Sequence, residues 1–222
     1  MINTDDLEIR DEKIDGQGPW LWPKSDGPPG SDGGAWGGPK DDWEQHHKPN
    51  ILKYVENFDT VVQAGGACGM YPKLYSYMFK KVYTFEPDAI NFYCLAHNCT
   101  ESNIIKYQAA LIHDHQSLTV QRHLETNVGM HTVGSDPDGL IVGMRVDDLN
   151  LAKVDLIHLD IEHCEYYALL GAMNTIKTHR PVLFIERGIT DQIKQLLVAE
   201  NYVLQGKSGY ADYIWMYNNE FK

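Results

Sequence analysis

The stretch Gln63-Ala64-Gly65-Gly66-Ala67-Cys68-Gly69 ends a segment, Asn57–Ala64, that is β-branched towards its end. Small residues at the end of a strand let the backbone turn tightly and approach a ligand closely. Glu86 stands 21 residues after Gly65, at the end of KVYTFE and just before Pro87. A glycine loop after a strand, with a strand-terminal acid about 20 residues on, is a pattern that holds the hydroxyls of an adenosine ribose. NAD and S-adenosylmethionine both fit it. The dinucleotide fingerprint G-x-G-x-x-G places a pyrophosphate at a helix N-terminus. Here Gly65, Gly66 and Gly69 read G-G-A-C-G and lack the first spacing. S-adenosylmethionine carries no phosphate and tolerates a looser glycine pattern.

Further polar and small residues fall at the ends of other strand-like segments. Gln108-Ala109-Ala110 would border a base pocket, VDLIHLD delivers His158 and Asp160 with Glu162 following, and RPVLFIE delivers Glu186. Ten histidines invite a metal, through His113-Asp114-His115, His158 with Asp160, or His163. A Zn²⁺ or Mg²⁺ site needs three or more converging ligands. The spacing does not compel that convergence, so no metal is expected. His46 and His47 are read as solvated.

The elements that must position these groups alternate. Strands are predicted at Lys81–Glu86, Asn103–Leu111, Val154–Asp160, Arg180–Glu186, Tyr202–Gln205 and Asp212–Tyr217, besides the one ending at Ala64. Helices are predicted at Tyr71–Lys80, Asp88–Cys99 with Asp88 as N-cap, Cys164–Thr175 and Thr190–Glu200. Residues 116–146 look β-rich, with a turn at SDPDG. This alternation implies an α/β fold, a mostly parallel sheet covered on both faces. Ligands of such sheets lie beyond the carboxyl ends of the strands.

The 222 residues suit one α/β domain with a short extension. Composition divides the chain near residue 50, into an arm (1–50) and a domain (51–222). Residues 16–43 hold 8 of the 19 glycines, 5 of the 10 prolines and 4 of the 5 tryptophans. That stretch cannot form a helix or a long strand. Trp20, Trp22, Trp36 and Trp43 are costly to leave in water, so the arm should anchor onto the domain or a partner. It would cover exposed core or form a wall over a ligand site.

Lys+Arg 19 against Asp+Glu 31 leaves a net charge of −12, which argues against broad contact with a phosphate backbone or an anionic membrane. No apolar run approaches a spanning helix, and the acidic N-terminus lacks the apolar core of a secretory leader. Cys68, Cys94, Cys99 and Cys164 show no CxxC pair and are read as reduced thiols of a cytoplasmic protein.

The segments VVQAGGACGMY, VYTFEPDAINFYCLAHN, YQAAL, DLIHLDIEHCEYYALLGA and RPVLFIE together resemble the FkbM-type methyltransferases in order and spacing. The resemblance spans roughly residues 55–205, and the FEP and D-x-E-x-x-E-x-x-x-L-x-G-A elements are its most diagnostic parts. It implies a Rossmann-like class I methyltransferase fold, a seven-stranded sheet with an antiparallel last strand, and S-adenosylmethionine as cofactor. By the same resemblance Gly65, Gly66 and Gly69 form the cofactor loop and Glu86 takes the ribose. Ala109 and Ala110 border the adenine, Asp160 lies near the sulfonium and the acceptor, and Glu186 lies under the acceptor site. Three positions depart from the family: Gln63 stands for an acid beside the cofactor, His158 for a lysine and His163 for a glycine. Residues 1–50 have no counterpart in the resemblance, and their texture is similar to that of viral or phage-encoded proteins.

The implied reaction is O-methylation of a small-molecule or glycan hydroxyl. A general base helps such a step, and His158 titrates near neutrality. Asp160 is a second candidate base, or the residue that orients it. The two share a strand face if the strand continues to Asp160. The rival reading is a non-catalytic interaction module on the same fold, suggested by Gln63 and His163. A nucleic-acid methyltransferase is disfavoured by charge and by the lack of a [D/N/S]-P-P-[Y/F/W] element.

Overall fold

The computed structural model describes residues 2–27, 35, 43–123 and 126–218. Trp36 lies outside the described residues. In the arm, β1 (Leu7–Arg10) and β2 (Trp20–Pro23) pair antiparallel. A π-helical turn, Trp43–His47, runs into α1 (Lys48–Tyr54). Next come β3 (Thr60–Ala64), α2 (Met70–Ser76), β4 (Lys81–Phe85), α3 (Ala89–Asn98), β5 (Ile104–Tyr107) and β6 (Ala109–Leu111). Then follow β7 (Ser117–Gln121), β8 (Thr132–Ser135), β9 (Ile141–Met144) and β10 (Leu156–Leu159). Helices α4 (Glu165–Leu170) and α5 (Met173–His179), β11 (Val182–Glu186), α6 (Asp191–Ala199), β12 (Tyr202–Ser208) and β13 (Asp212–Tyr217) complete the order.

The main sheet runs β12-β13-β11-β10-β3-β4-β5. All neighbours from β11 to β5 pair parallel, and β13 runs against both β11 and β12. Seven strands with one antiparallel member match the expected class I methyltransferase arrangement. Each buried strand feeds both faces by alternation. Val61 packs with α2, α3 and the arm tryptophans, while Val62 packs with α4, α5 and α6.

Two predicted elements are split. Asn103–Leu111 is two strands: β5 pairs with β4, and after Gln108 the chain turns into a second sheet, β6-β9-β7-β8. The helix predicted over Cys164–Thr175 breaks at Gly171-Ala172. A Cβ at Gly171 would collide with the Ile112 carbonyl, so the chain passes close there. The Asp147 carboxylate then accepts from the Asn174 and Thr175 backbone N–H groups and starts α5 anew. Asp88 caps α3 as expected, accepting from Ile90 and Asn91.

Trp20, Trp22 and Trp43 are among the largest fully buried side chains and share one cluster with Leu74, Tyr75 and Leu95. The arm thus extends the core on the α2–α3 face. Cys68, Cys94 and Cys99 are buried, Cys164 is half-buried, and all four are free thiols. Among the described residues no helix is long and apolar enough to cross a membrane.

Candidate active site

The loop after β3 is held by its own backbone. Gly65 and Gly66 both donate to the Phe85 carbonyl, at 3.1 and 2.9 Å. Gly65 has φ +82°, and a Cβ there would collide with the Asp160 carbonyl. Gly69, at φ +96°, opens α2. Both positions favour glycine for left-handed backbone, and Gly65 also for close approach. Glu86 ties the loop to the next strand: one carboxylate oxygen accepts from Ala67 N at 2.7 Å and the other from Asp88 N at 2.8 Å. Its burial pushes the carboxyl up to about 8, against the pull of those backbone donors.

A cavity of about 290 Å³ opens here, lined by Gly65, Gly66, Glu86, Ala109 and Ala110 and also by the carboxylate residues Asp160, Glu162, Glu186 and Asp212. That volume is near the lower end of small-ligand sites, roughly 300 Å³ and up. Trp22 and Ala35 of the arm and the segment 127–131 also line it. Asp26 joins these parts. Its carboxylate accepts from Trp22 Nε1 (2.8 Å), Ala35 N (2.8 Å) and Val128 N (3.1 Å). The arm therefore covers core and walls the cavity together.

Three sequence-predicted residues are not on that wall: Gly69, where a Cβ would meet Cys99 Sγ and Leu95 on the α3 side, and Gln63 and His158. Gln63 is fully buried, and its amide donates to the Ala64 and Gly65 carbonyls while accepting from Thr84 Oγ1. It braces the loop from behind and is not placed to touch a cofactor. His158 is also fully buried, and this corrects its reading as a base beside the acceptor. Gln63 and His158 stand in register with Thr84 and Phe184, in one row across the sheet. Its neighbours Tyr71, Tyr75 and Phe184 seal the imidazole in. Nδ1 lies 2.9 Å from the Tyr75 hydroxyl and Nε2 lies 3.7 Å from Asp212 Oδ1. Burial lowers the His158 pKa, and the Asp212 charge opposes that shift.

His47 corrects a second reading. It is fully buried rather than solvated, with Nε2 2.8 Å from Asp212 Oδ2. Asp212 is thus flanked by two imidazoles from distant segments. Burial pushes its carboxyl up, but His158 and His47 outweigh burial and hold it well below the usual carboxylate range. The sequence reading missed Asp212 as a site residue. A signal existed: β13 is antiparallel, so its first residue lies at the edge where the parallel strands end.

Asp160 follows β10 as expected, with its N–H on the Ala64 carbonyl at 3.2 Å. Its side chain lines the cavity. Desolvation, then Asp212, Glu186 and Glu162, push its carboxyl well above the usual value. Glu186 is raised to about 7 by burial and by Glu162, with Arg187 opposing. One oxygen each of Asp160, Glu162 and Glu186 lies within 4.8 Å of the others.

A family profile, the methyltransferase FkbM domain, matches residues 67–204. No curated protein matches the chain. Among solved structures, a methyltransferase FkbM from Methylobacillus flagellatus aligns at 18% identity with a TM-score of 0.52. The alignment covers 72% of this chain and 44% of that one, so this chain spans less than half the length of that relative. A SAM-dependent methyltransferase from Aquifex aeolicus aligns at 11% identity and TM-score 0.45, over 79% of this chain and 92% of that one. A ribosomal protein L11 methylase from Lactobacillus delbrueckii aligns at 10% identity and TM-score 0.42, over 76% and 73%. The fold is that of the class I methyltransferases, and the chain belongs to the methyltransferase FkbM family.

Proposed function

We propose that the protein transfers the methyl group of S-adenosylmethionine to a hydroxyl oxygen of a small molecule or glycan. The observation that carries this reading is one cavity lined both by the glycine loop with Glu86 and by Asp160, Glu162, Glu186 and Asp212. Gly65 and Gly66 line the cavity, and the protein packed behind them, Asp160 and Leu95, leaves no room for a side chain at either position. Gly65 and Gly66 would hold the cofactor by close backbone approach, while Gly69 serves the loop by turning the chain into α2. Glu86 would accept from the ribose hydroxyls, and Ala109 and Ala110 leave room for the base. When bound, S-adenosylmethionine supplies an electrophilic methyl group on a sulfonium.

The chain's own residues then align the acceptor and remove its proton. Trp22 and the 127–131 segment restrict water at the cavity, which strengthens polar contacts inside. Asp160 orients the acceptor hydroxyl, and one of the carboxylate oxygens lining the cavity receives its proton. Alignment and base assistance supply the rate. Asp212 stays ionised between its imidazoles and keeps the carboxylate cluster negative. The changes that suggested a non-catalytic relative do not touch these groups. Gln63 is off the wall, and His163 sits exposed, 2.7 Å from Arg187 Nη1.

The test is mass spectrometry of methyl transfer from S-adenosylmethionine to a panel of hydroxylated acceptors. Asp160→Asn should slow transfer by at least about 10²-fold with cofactor binding largely kept. No transfer by the native protein across the panel, with cofactor firmly bound, would overturn the reading in favour of an interaction module.

A further inference from the structure

The turn between β12 and β13 puts Tyr210 into the open, with 76% of the residue exposed. A lone exposed aromatic ring is ordinary. One on a lip shared by two cavities is not. Tyr210 and Ala211 line the cavity of the glycine loop and also a second, open depression of about 390 Å³. The other walls of that depression are Arg187, Ile189, Thr190 and Tyr213. The depression adjoins the carboxylates through Arg187, whose Nη1 lies 3.3 Å from Glu162 Oε2 and whose Nε lies 3.5 Å from Glu186 Oε1. The lip is fastened to the sheet. Arg187 N donates to the Ala211 carbonyl at 2.9 Å, Glu186 and Asp212 stand in register, and Trp215 Nε1 donates to the Gly188 carbonyl at 2.8 Å.

A site of about 290 Å³ is the size of one small ligand. Once it holds the cofactor, an acceptor brings little more than its reacting part to the carboxylates, and the rest of it lies on the ground beyond. We infer that the acceptor is a saccharide of at least two rings, whose methylated ring meets the carboxylates and whose neighbouring ring sits on a shelf made by Tyr210, Tyr213 and Arg187. This inference rests on the proposed methyl transfer and names its substrate class. A pyranose has a face of C–H groups and a rim of hydroxyls. The C–H face buries apolar surface against a tyrosine ring, which is itself apolar in body and polar at its tip. The rim needs donors and acceptors. Arg187 donates, and the Thr190 hydroxyl accepts from Ile193 N at 3.3 Å while keeping its own O–H to give. Tyr213 is half-buried with Lys207 Nζ 5.7 Å from its ring, which leaves Tyr210 as the ring a ligand can cover. Charge selects a neutral sugar over an anionic one, because carboxylates border the shelf and already hold its guanidinium.

The experiment uses the full chain with methyl glycosides of glucose, galactose and mannose, the matching disaccharides, and simple phenols as flat rivals. Binding is read by saturation-transfer NMR and calorimetry with S-adenosylhomocysteine present. Transfer from S-adenosylmethionine is read by mass spectrometry. At least one disaccharide should exceed its monosaccharide in kcat/KM by roughly tenfold, the scale of covering an aromatic face, and through KM rather than kcat. Tyr210→Ala should erase most of that advantage, and Tyr210→Phe, which keeps the ring, should retain it. Tyr77→Ala, at an exposed tyrosine outside both cavities, should change nothing. Disaccharides with no advantage, or an advantage that Tyr210→Ala keeps, overturn the shelf. Transfer to phenols with none to any sugar overturns the saccharide and leaves methyl transfer standing. Disaccharide binding that depends on Tyr210, with no transfer to any acceptor, sinks the methyltransferase reading and leaves the shelf.

Discussion

Glu86 couples the ligand site to pH in a direction the structure specifies. Burial places its carboxyl at about 8, above its ordinary 4.5. Between those values the folded protein keeps a proton that the unfolded chain has released. Glu86 therefore contributes stability fully below about 4.5, and that contribution is lost as pH rises through about 8. Ligand binding runs the other way. Ribose hydroxyls donate, and an ionised carboxylate accepts from them while still holding Ala67 N and Asp88 N. A protonated carboxyl turns an O–H towards one of those donors. Each pH unit below the folded pKa can cost up to about tenfold in affinity, about 1.4 kcal/mol. The protonated form still has one free acceptor oxygen, so the whole effect is bounded by about 1.5–3 kcal/mol, roughly ten- to hundredfold. The ligand to use is 5′-methylthioadenosine, which carries base and ribose but no amino acid to titrate. Calorimetry should show affinity rising between about pH 6 and pH 8 and levelling above. Glu86→Gln should bind weakly and without that slope, and Glu86→Ala should lose about 1.5–3 kcal/mol at pH 9. A native affinity that ignores pH, or a Gln variant with the native slope, would refute the placement of the ribose on Glu86.

Two further outcomes follow from the arm and the buried histidines. Trp43 is fully buried, edge-on to Tyr75 at 5.2 Å, so Trp43→Ala should cost about 3–5 kcal/mol in urea unfolding; a loss under about 1 kcal/mol would mean that the arm is an independent tail. His158→Gln should lower stability by about 1–3 kcal/mol through its lost contacts with Tyr75 and Asp212, and should leave the pH–rate profile of methyl transfer near neutrality unmoved. A shifted profile would return His158 to the chemistry.

Local rules made part of this protein legible in its sequence. Gly65 and Gly69 marked backbone that a side chain would strain, and both turn out to have positive φ. Asp88 marked a helix start, because a carboxylate after an extended residue can satisfy the free N–H groups of the first turn. Glu86 followed the loop at the distance that one strand–helix–strand unit spans, and it does meet the loop at Ala67 N. Each of these depends on residues close in sequence or on one repeating unit. What the tertiary structure alone decided depends on which distant surfaces meet. His47 and Asp212 are 165 residues apart, and nothing near either predicts an imidazole–carboxylate pair in the core. Gln63 and His158 alternate correctly along their strands, but alternation does not say which face the cavity wall takes and which face α2 and the arm cover. Asp26 is buried only because the arm folds back and gathers Trp22, Ala35 and Val128 around it, contacts that no local pattern announces. The strand through Asn103–Leu111 divides because two sheets compete for its two halves, a choice made by partners elsewhere in the chain. Backbone conformation is set within a few residues, whereas burial and charge pairing are set by the packing of segments that the sequence holds far apart.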